Sequence, residues 1–281
     1  MFILVLAVLC ALCGVVPAED GADGYRKVLR VQDGSVISFD QMLREIRGVD
    51  LVFVGELHGY KRHQRAQLDV VRSLFESGIP VGIGLEMFRW DSQKALDDWV
   101  RGRIPPDEFV RIYNDNWRVP WPAYRDIFTY AREKKIDLVG LNVPDEITEK
   151  VARSGFSSLT PEELKKLPPG ISCDIDQEYL DFIRTAHAAH GHKRGHSFTN
   201  FCEAQMVWDK AMAWHLLEYL KSNQGKTVVV IAGKGHTWKR GIPEQVRRGS
   251  SLKYRVILPE TSGIIDRRVV TIHDADYLLI E

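Results

Sequence analysis

Glu56, His58, Glu86 and His236 each stand at or just beyond the end of a short apolar run, with a glycine within two residues of each. A carboxylate beside an imidazole is the equipment of general acid–base chemistry, because the acid fixes the ring's tautomer while the second ring nitrogen takes a proton from water. Two acids on one rim raise one another's pKa unless a cation or a histidine lies between them. The four residues are therefore candidates for one ionisable rim at the carboxyl ends of buried strands, where open α/β sheets gather their ligands. The alternative is that Glu56 and His63 hydrogen-bond loop backbone and that Glu86 caps a helix beginning near Asp91.

A second group of polar residues interrupts apolar helix faces. In a helix from about Lys61 to Ser77, Val70, Val71 and Leu74 form the apolar stripe, and His63 and Gln67 continue it. In a longer helix from Phe198 to Lys221, the stripe runs through Phe201, Trp208, Met212, Leu216 and Tyr219, with Gln205 inside it and Asp209 at its edge. An isolated buried amide or carboxylate is costly, so a shared polar cluster is the economical expectation. Tyr60 adjoins the first helix. Tyr124 shares a face with Ile127, Phe128 and Ala131, which points it inward or into a cleft.

The elements that must position these groups are legible as apolar runs. Leu51–Val54, Val81–Met87, Ile136–Val143 and Thr227–Ala232 read as strands buried on both faces of a parallel sheet. Alternating with helical segments, they predict an α/β fold: a mainly parallel sheet flanked by helices, whose ligands gather at the carboxyl ends of the strands. Sequential connectivity favours the first two strands as neighbours. A hairpin is expected around Asp33-Gly34, a brief helix capped by Asp40, and late strands at Tyr254–Leu258, Arg268–Ile272 and Tyr277–Ile280. Residues 91–130, rich in aromatics and broken by prolines, and residues 145–200 are expected to supply a smaller inserted helical subdomain. Its aromatics fill core or line a site for a large flat ligand. His187, His190, His192 and His196 fall in a glycine-bearing loop without acidic or cysteine partners, which reads as solvated rather than metal-binding.

Lysine plus arginine and aspartate plus glutamate both number 38, so there is no long-range electrostatic case for nucleic acid. The apolar block ending at Val16-Pro17-Ala18 is expected to be a secretory signal peptide cleaved after Ala18, leaving 19–281 as the working domain; an amino-terminal anchor, or lipid at Cys10 or Cys13, is the alternative. Past it, Cys173 and Cys202 are permitted one disulfide in an oxidising compartment. The segment Gly233-Lys234-Gly235-His236 lacks the spacing of a Walker loop, and no G-x-S-x-G elbow is present.

Five segments in order, GELHGYKRHQRAQ, IGLEMF, WRVPWPAYRDIF, FCEAQMVWDKAMA and IAGKGH, resemble the ChaN-like haem-binding uptake family of the Tiki superfamily. The resemblance covers nearly all of the chain after residue 18. It implies a periplasmic or envelope location, haem as cofactor, a homodimer, a haem receptor or transporter as partner, and a tyrosine as iron ligand, for which Tyr124 and Tyr60 are the candidates. A phenolate suits ferric haem because a hard anionic oxygen stabilises the oxidised ion. On this reading Glu56, His58, Tyr60, His63, Gln67, Glu86, Tyr124, Gln205, Asp209 and His236 surround the cofactor. The wider superfamily includes erythromycin esterases and Tiki metalloproteases with the same Gly-Glu-x-His arrangement, and so implies the rival: a hydrolase in which Glu56 and His58 position or deprotonate a water and Glu86 and His236 complete the catalytic site directly or through a metal.

Overall fold

In the computed structural model of the chain, residues 24–280 are described apart from 173–176, 178, 182, 185–196 and 262. The strands are β1 (Lys27–Arg30), β2 (Ser35–Ser38), β3 (Leu51–Glu56), β4 (Val81–Arg89), β5 (Asp137–Asn142), β6 (Thr227–Gly233), β7 (Tyr254–Pro259) and β8 (Tyr277–Ile280). They form one sheet in the order β2-β1-β8-β7-β3-β6-β4-β5, with antiparallel pairing at β2-β1 and β1-β8 and parallel pairing elsewhere. The fold is α/β, as the apolar runs predict.

Helices cover both faces. On one lie α1 (Phe39–Glu45), α2 (Lys61–Glu76), α3 (Gln93–Val100), α4 (Pro106–Asn116) and α5 (Arg125–Lys134). Val52, Val54, Ile83, Leu85, Val229 and Ile231 point to this face and share its core with Leu74, Trp99, Phe109 and Phe128. The opposite residues of the same strands, Leu51, Phe53, Val228 and Val230, pack with Met212 and Leu216 of α8 (Phe198–Ser222). That alternation is the period-two geometry of a strand. It explains why β3 is unbrokenly apolar: every one of its side chains from Leu51 to Val54 is at most 1% exposed. Further helices are α6 (Asp145–Ser154), α7 (Pro161–Leu164), α9 (Lys234–Thr237) and α10 (Ile242–Gly249). Helices α6 and α8 share a smaller core of Val143, Ile147, Val151, Val207 and Ala211. Among the described residues no helix is long and apolar enough to cross a membrane.

Three local expectations are corrected. Strands β3 and β4 are not neighbours, because β6 lies between them and pairs in parallel with both. The first helix is capped by Ser38, whose hydroxyl accepts the Gln41 N–H at 3.1 Å, and Asp40 lies inside the first turn. Residues 268–272 are turns: Asp266 accepts the Arg268 N–H on its side chain and the Val269 and Val270 N–H groups on its carbonyl, which diverts backbone donors from any ladder. The hairpin around Gly34 (φ +70°) forms as expected, as does the capping box from Thr160 to Glu163.

Candidate functional site

The carboxyl ends of β3, β6 and β4 lie side by side, and Glu56 is in register with Gly233. Glu56 ends β3 with its side chain turned toward the α2–α5 layer. Its Oε1 accepts the Tyr124 hydroxyl and contacts His58 Nδ1 at 2.5 Å, and its Oε2 accepts Gln64 Nε2 at 2.6 Å. The carboxylate is only 1% exposed and has three partners, as a buried charge requires. Trp117 meets the His58 ring edge-on at 5.1 Å between centroids.

The α8 side supplies the counterpart. Asp209, fully buried, holds His236 Nδ1 at 2.7 Å through Oδ1 and accepts the Tyr179 hydroxyl at 3.0 Å through Oδ2. Gln205 Nε2 stands 2.9 Å from the same His236 nitrogen. Trp208 packs edge-on against the His236 ring at 5.9 Å, as Trp117 does against His58.

Between the two imidazoles lies Glu86. Its Oε2 accepts the Gly233 N–H at 2.5 Å. Its Oε1 faces His58 Nε2 at 3.8 Å and His236 Nε2 at 3.6 Å, both too long for direct hydrogen bonds. Gly233 leaves room for the ring: a Cβ there would sit 2.8 Å from His58 Nε2, which would have to shift. Glu86 is not a helix cap.

The electrostatics separate the two halves. Burial alone would raise the Glu56 carboxyl, but the His58 hydrogen bond and charge, then Tyr124 and Gln64, hold it below the ordinary range. Burial works against a charged His236, yet Glu86 and Asp209 outweigh it and raise its pKa. Asp209 is itself pushed up by burial, against the pull of His236 and the Tyr179 hydroxyl. The array thus offers two carboxylate–imidazole pairs aimed at one carboxylate, a layout for moving protons. Among the described residues no three or more His, Cys, Asp or Glu side chains form a metal-ligand set.

Other expected site residues take different places. Gln67 is buried and gives its amide to Val54 O at 3.1 Å. His63 accepts the Leu57 N–H on Nδ1 at 3.0 Å, and burial lowers its pKa to about 4 against the pull of Glu56. It orders the loop that presents His58. Tyr124 does not fit an iron ligand: it is fully buried, its hydroxyl is given to Glu56, and burial beside that charge pushes its pKa well up, away from phenolate. Tyr60, the N-cap of α2, is half-buried and stacked on His63 at 5.2 Å, and no hydrogen bond engages its hydroxyl among the described residues. The four clustered histidines and Cys173 lie outside the described residues, and Cys202 is buried with a free thiol raised to about 11. Gln64, Tyr179 and the Gly233 N–H are partners the sequence reading missed. Gln64 directly follows His63 on the stripe edge and was recoverable from that; Tyr179 and the backbone donor carry no such signal.

A family model described as "Haem-binding uptake, Tiki superfamily, ChaN" matches residues 42–246. The chain belongs to the ChaN-like haem-binding uptake family. Its fold is also that of the solved structure "Cofacial heme binding to ChaN of Campylobacter jejuni", with a TM-score of 0.69 at 22% identity, covering 90% of this chain and 96% of that one. An erythromycin esterase mutant superposes more loosely, with a TM-score of 0.49 at 14% identity over 84% of this chain and 76% of that one. Among curated proteins, Protein RETICULATA-RELATED 5, chloroplastic, of Arabidopsis thaliana is 23% identical over 212 residues, 71% of this chain. This ChaN-like chain spans only 28% of that relative's length.

Proposed function

We propose that this ChaN-like chain binds haem at the lip of the β3–β6–β4 rim, with Tyr60 as iron ligand, and serves haem or iron handling in the periplasm or cell envelope. The observation that carries the reading is the half-buried phenol of Tyr60, which has no hydrogen bond among the described residues, beside a glycine turn, Gly59 (φ +81°), near Val119. Its donor chemistry fits ferric haem, which supplies the iron centre when bound. His63 stacks under the Tyr60 ring and fixes its direction, while Trp117 beside His58 offers apolar surface to a flat ligand. The apolar amino-terminal block supports export, and a haem receptor or transporter is the partner such a role requires. The Campylobacter protein binds haem cofacially, and a homodimer of this chain would let two ring faces meet in the same way.

Titrating the purified protein with hemin tests this: a saturable Soret shift is expected, with affinity at least about tenfold weaker in Tyr60→Phe. No saturable shift would end the proposal.

A second reading has its own observation, the two imidazole Nε2 atoms facing Glu86 Oε1 at 3.8 and 3.6 Å. In a hydrolase, His58 Nε2 takes the proton of a water that attacks an ester carbonyl, and His236 gives its proton to the departing alkoxide. Glu56 and Asp209 hold the two rings in the required tautomers. Turnover of a p-nitrophenyl ester that disappears in both His58→Ala and His236→Ala supports this reading, and turnover unchanged in either variant removes it.

A further inference from the structure

Away from the strand ends, a groove of about 510 Å³ opens between α3, α4 and α5. Trp121 and Trp99 form its apolar part, and Arg125, Arg132 and Lys135 line it with one carboxylate, Glu133, while Arg125 Nε is also given to Asp126 Oδ1 at 3.0 Å at the edge. For a chain whose formal charge is zero this is a local cationic excess. The volume lies within the range of small-molecule sites.

The cations are arranged rather than scattered. The Arg132 guanidinium lies over the Trp99 ring at 4.2 Å, and its Nη1 is given to Ile104 O at 3.2 Å. The rest of its planar fork has no hydrogen-bond partner among the described residues. Lys135 ends α5 at φ 57°, the left-handed region, and is the one described non-glycine residue with positive φ. Glycine would satisfy that backbone at lower cost. Lysine instead places an ammonium at the groove, tied to Val100 O at 2.9 Å.

We propose that this groove binds a flat aromatic carboxylate, with its ring against Trp121 and its carboxylate on Arg125, Arg132 and Lys135. Aromatic walls select a planar body, and a guanidinium fork pairs with a carboxylate through two parallel hydrogen bonds. No tyrosine, histidine, cysteine or methionine lines the groove, so it offers no iron ligand and stands apart from the haem reading. The chemistry is shared by small aryl acids and by the carboxylated side arms of a macrocycle.

Calorimetric titration with 1-naphthoate and, separately, with metal-free protoporphyrin IX tests the site. Saturable binding of either is expected. Response to naphthoate assigns small acids, and response to the macrocycle alone assigns the larger class when it is weakened in Lys135→Gly, since binding at the strand rim would not be. Affinity should fall about tenfold in Lys135→Gly while thermal stability stays equal or rises, because glycine relieves the left-handed backbone as it removes the charge. Arg125→Gln should weaken binding severalfold, and Tyr60→Phe should leave it unchanged. Absence of saturable binding by both probes overturns the proposal. So does equal affinity for neutral 1-naphthalenemethanol, or unchanged affinity in both Lys135→Gly and Arg125→Gln. None of these outcomes bears on hemin binding at Tyr60.

Discussion

Glu56 is the most heavily partnered charge in the molecule's site, and its neighbours divide into those that stabilise it and those it orients. Tyr124 belongs to the first group. In Tyr124→Phe the carboxylate loses one of three partners, so unfolding free energy measured in urea should fall by about 1–3 kcal/mol, with hemin affinity preserved. His63 gives a pH signature. Its folded pKa of about 4 lies below the ordinary histidine value, so its contribution to stability is present above about pH 6.5 and is lost as pH falls toward 4. The loss is about 3 kcal/mol in scale. His236, with a raised pKa, acts in the opposite sense, stabilising below its unfolded pKa and losing that contribution as pH rises through the folded one. Comparing melting temperatures from pH 7 to pH 4 in wild type and His63→Gln isolates the first effect: the wild type should lose more. At this scale the acids and histidines of the rim were legible, because polar residues at apolar strand ends or on apolar helix stripes must find one another. Tyr60 and Tyr124 were not separable, since only packing shows that the Tyr124 hydroxyl is engaged by Glu56 while that of Tyr60 has no hydrogen bond among the described residues.

Two glycines decide how closely the elements approach. A Cβ at Gly55 would meet Leu258 Cδ2 and Thr237 Oγ1 at 2.5 Å, where strand β3 passes under helix α9. Gly55→Ala should therefore cost about 1–3 kcal/mol by overpacking, read as a lower urea midpoint. Gly233→Ala adds a methyl 2.8 Å from His58 Nε2 instead. It should shift the His58 ring resonances in NMR spectra with a smaller stability loss, and unshifted resonances would contradict the close approach. The strands themselves were readable from their apolar runs, but not their order. The insertion of β6 between β3 and β4 depends on a chain segment 177 residues downstream, as the pairing of Val52 with Val229 shows, which no local periodicity encodes. The residues 268–272 look like a strand by composition, and Asp266 turns them by taking their amide protons.

Across the whole molecule, the sheet brings α2 and α5 to one face and α8 to the other, so the rim is the place where both layers can contribute to one site. Glu56 with Tyr124 and Gln64 comes from the first layer, and His236 with Asp209 and Gln205 from the second. If haem is held between two copies, sedimentation velocity should show hemin converting monomer to dimer, with Tyr60→Phe remaining monomeric under the same conditions. The most direct measurement is the resonance Raman spectrum of the ferric haem complex in wild type, Tyr60→Phe and Tyr124→Phe. A tyrosinate–iron signature present in wild type and Tyr124→Phe but absent in Tyr60→Phe is the expected result. A signature that survives in Tyr60→Phe, or that vanishes in Tyr124→Phe alone, would place the iron elsewhere and contradict the account.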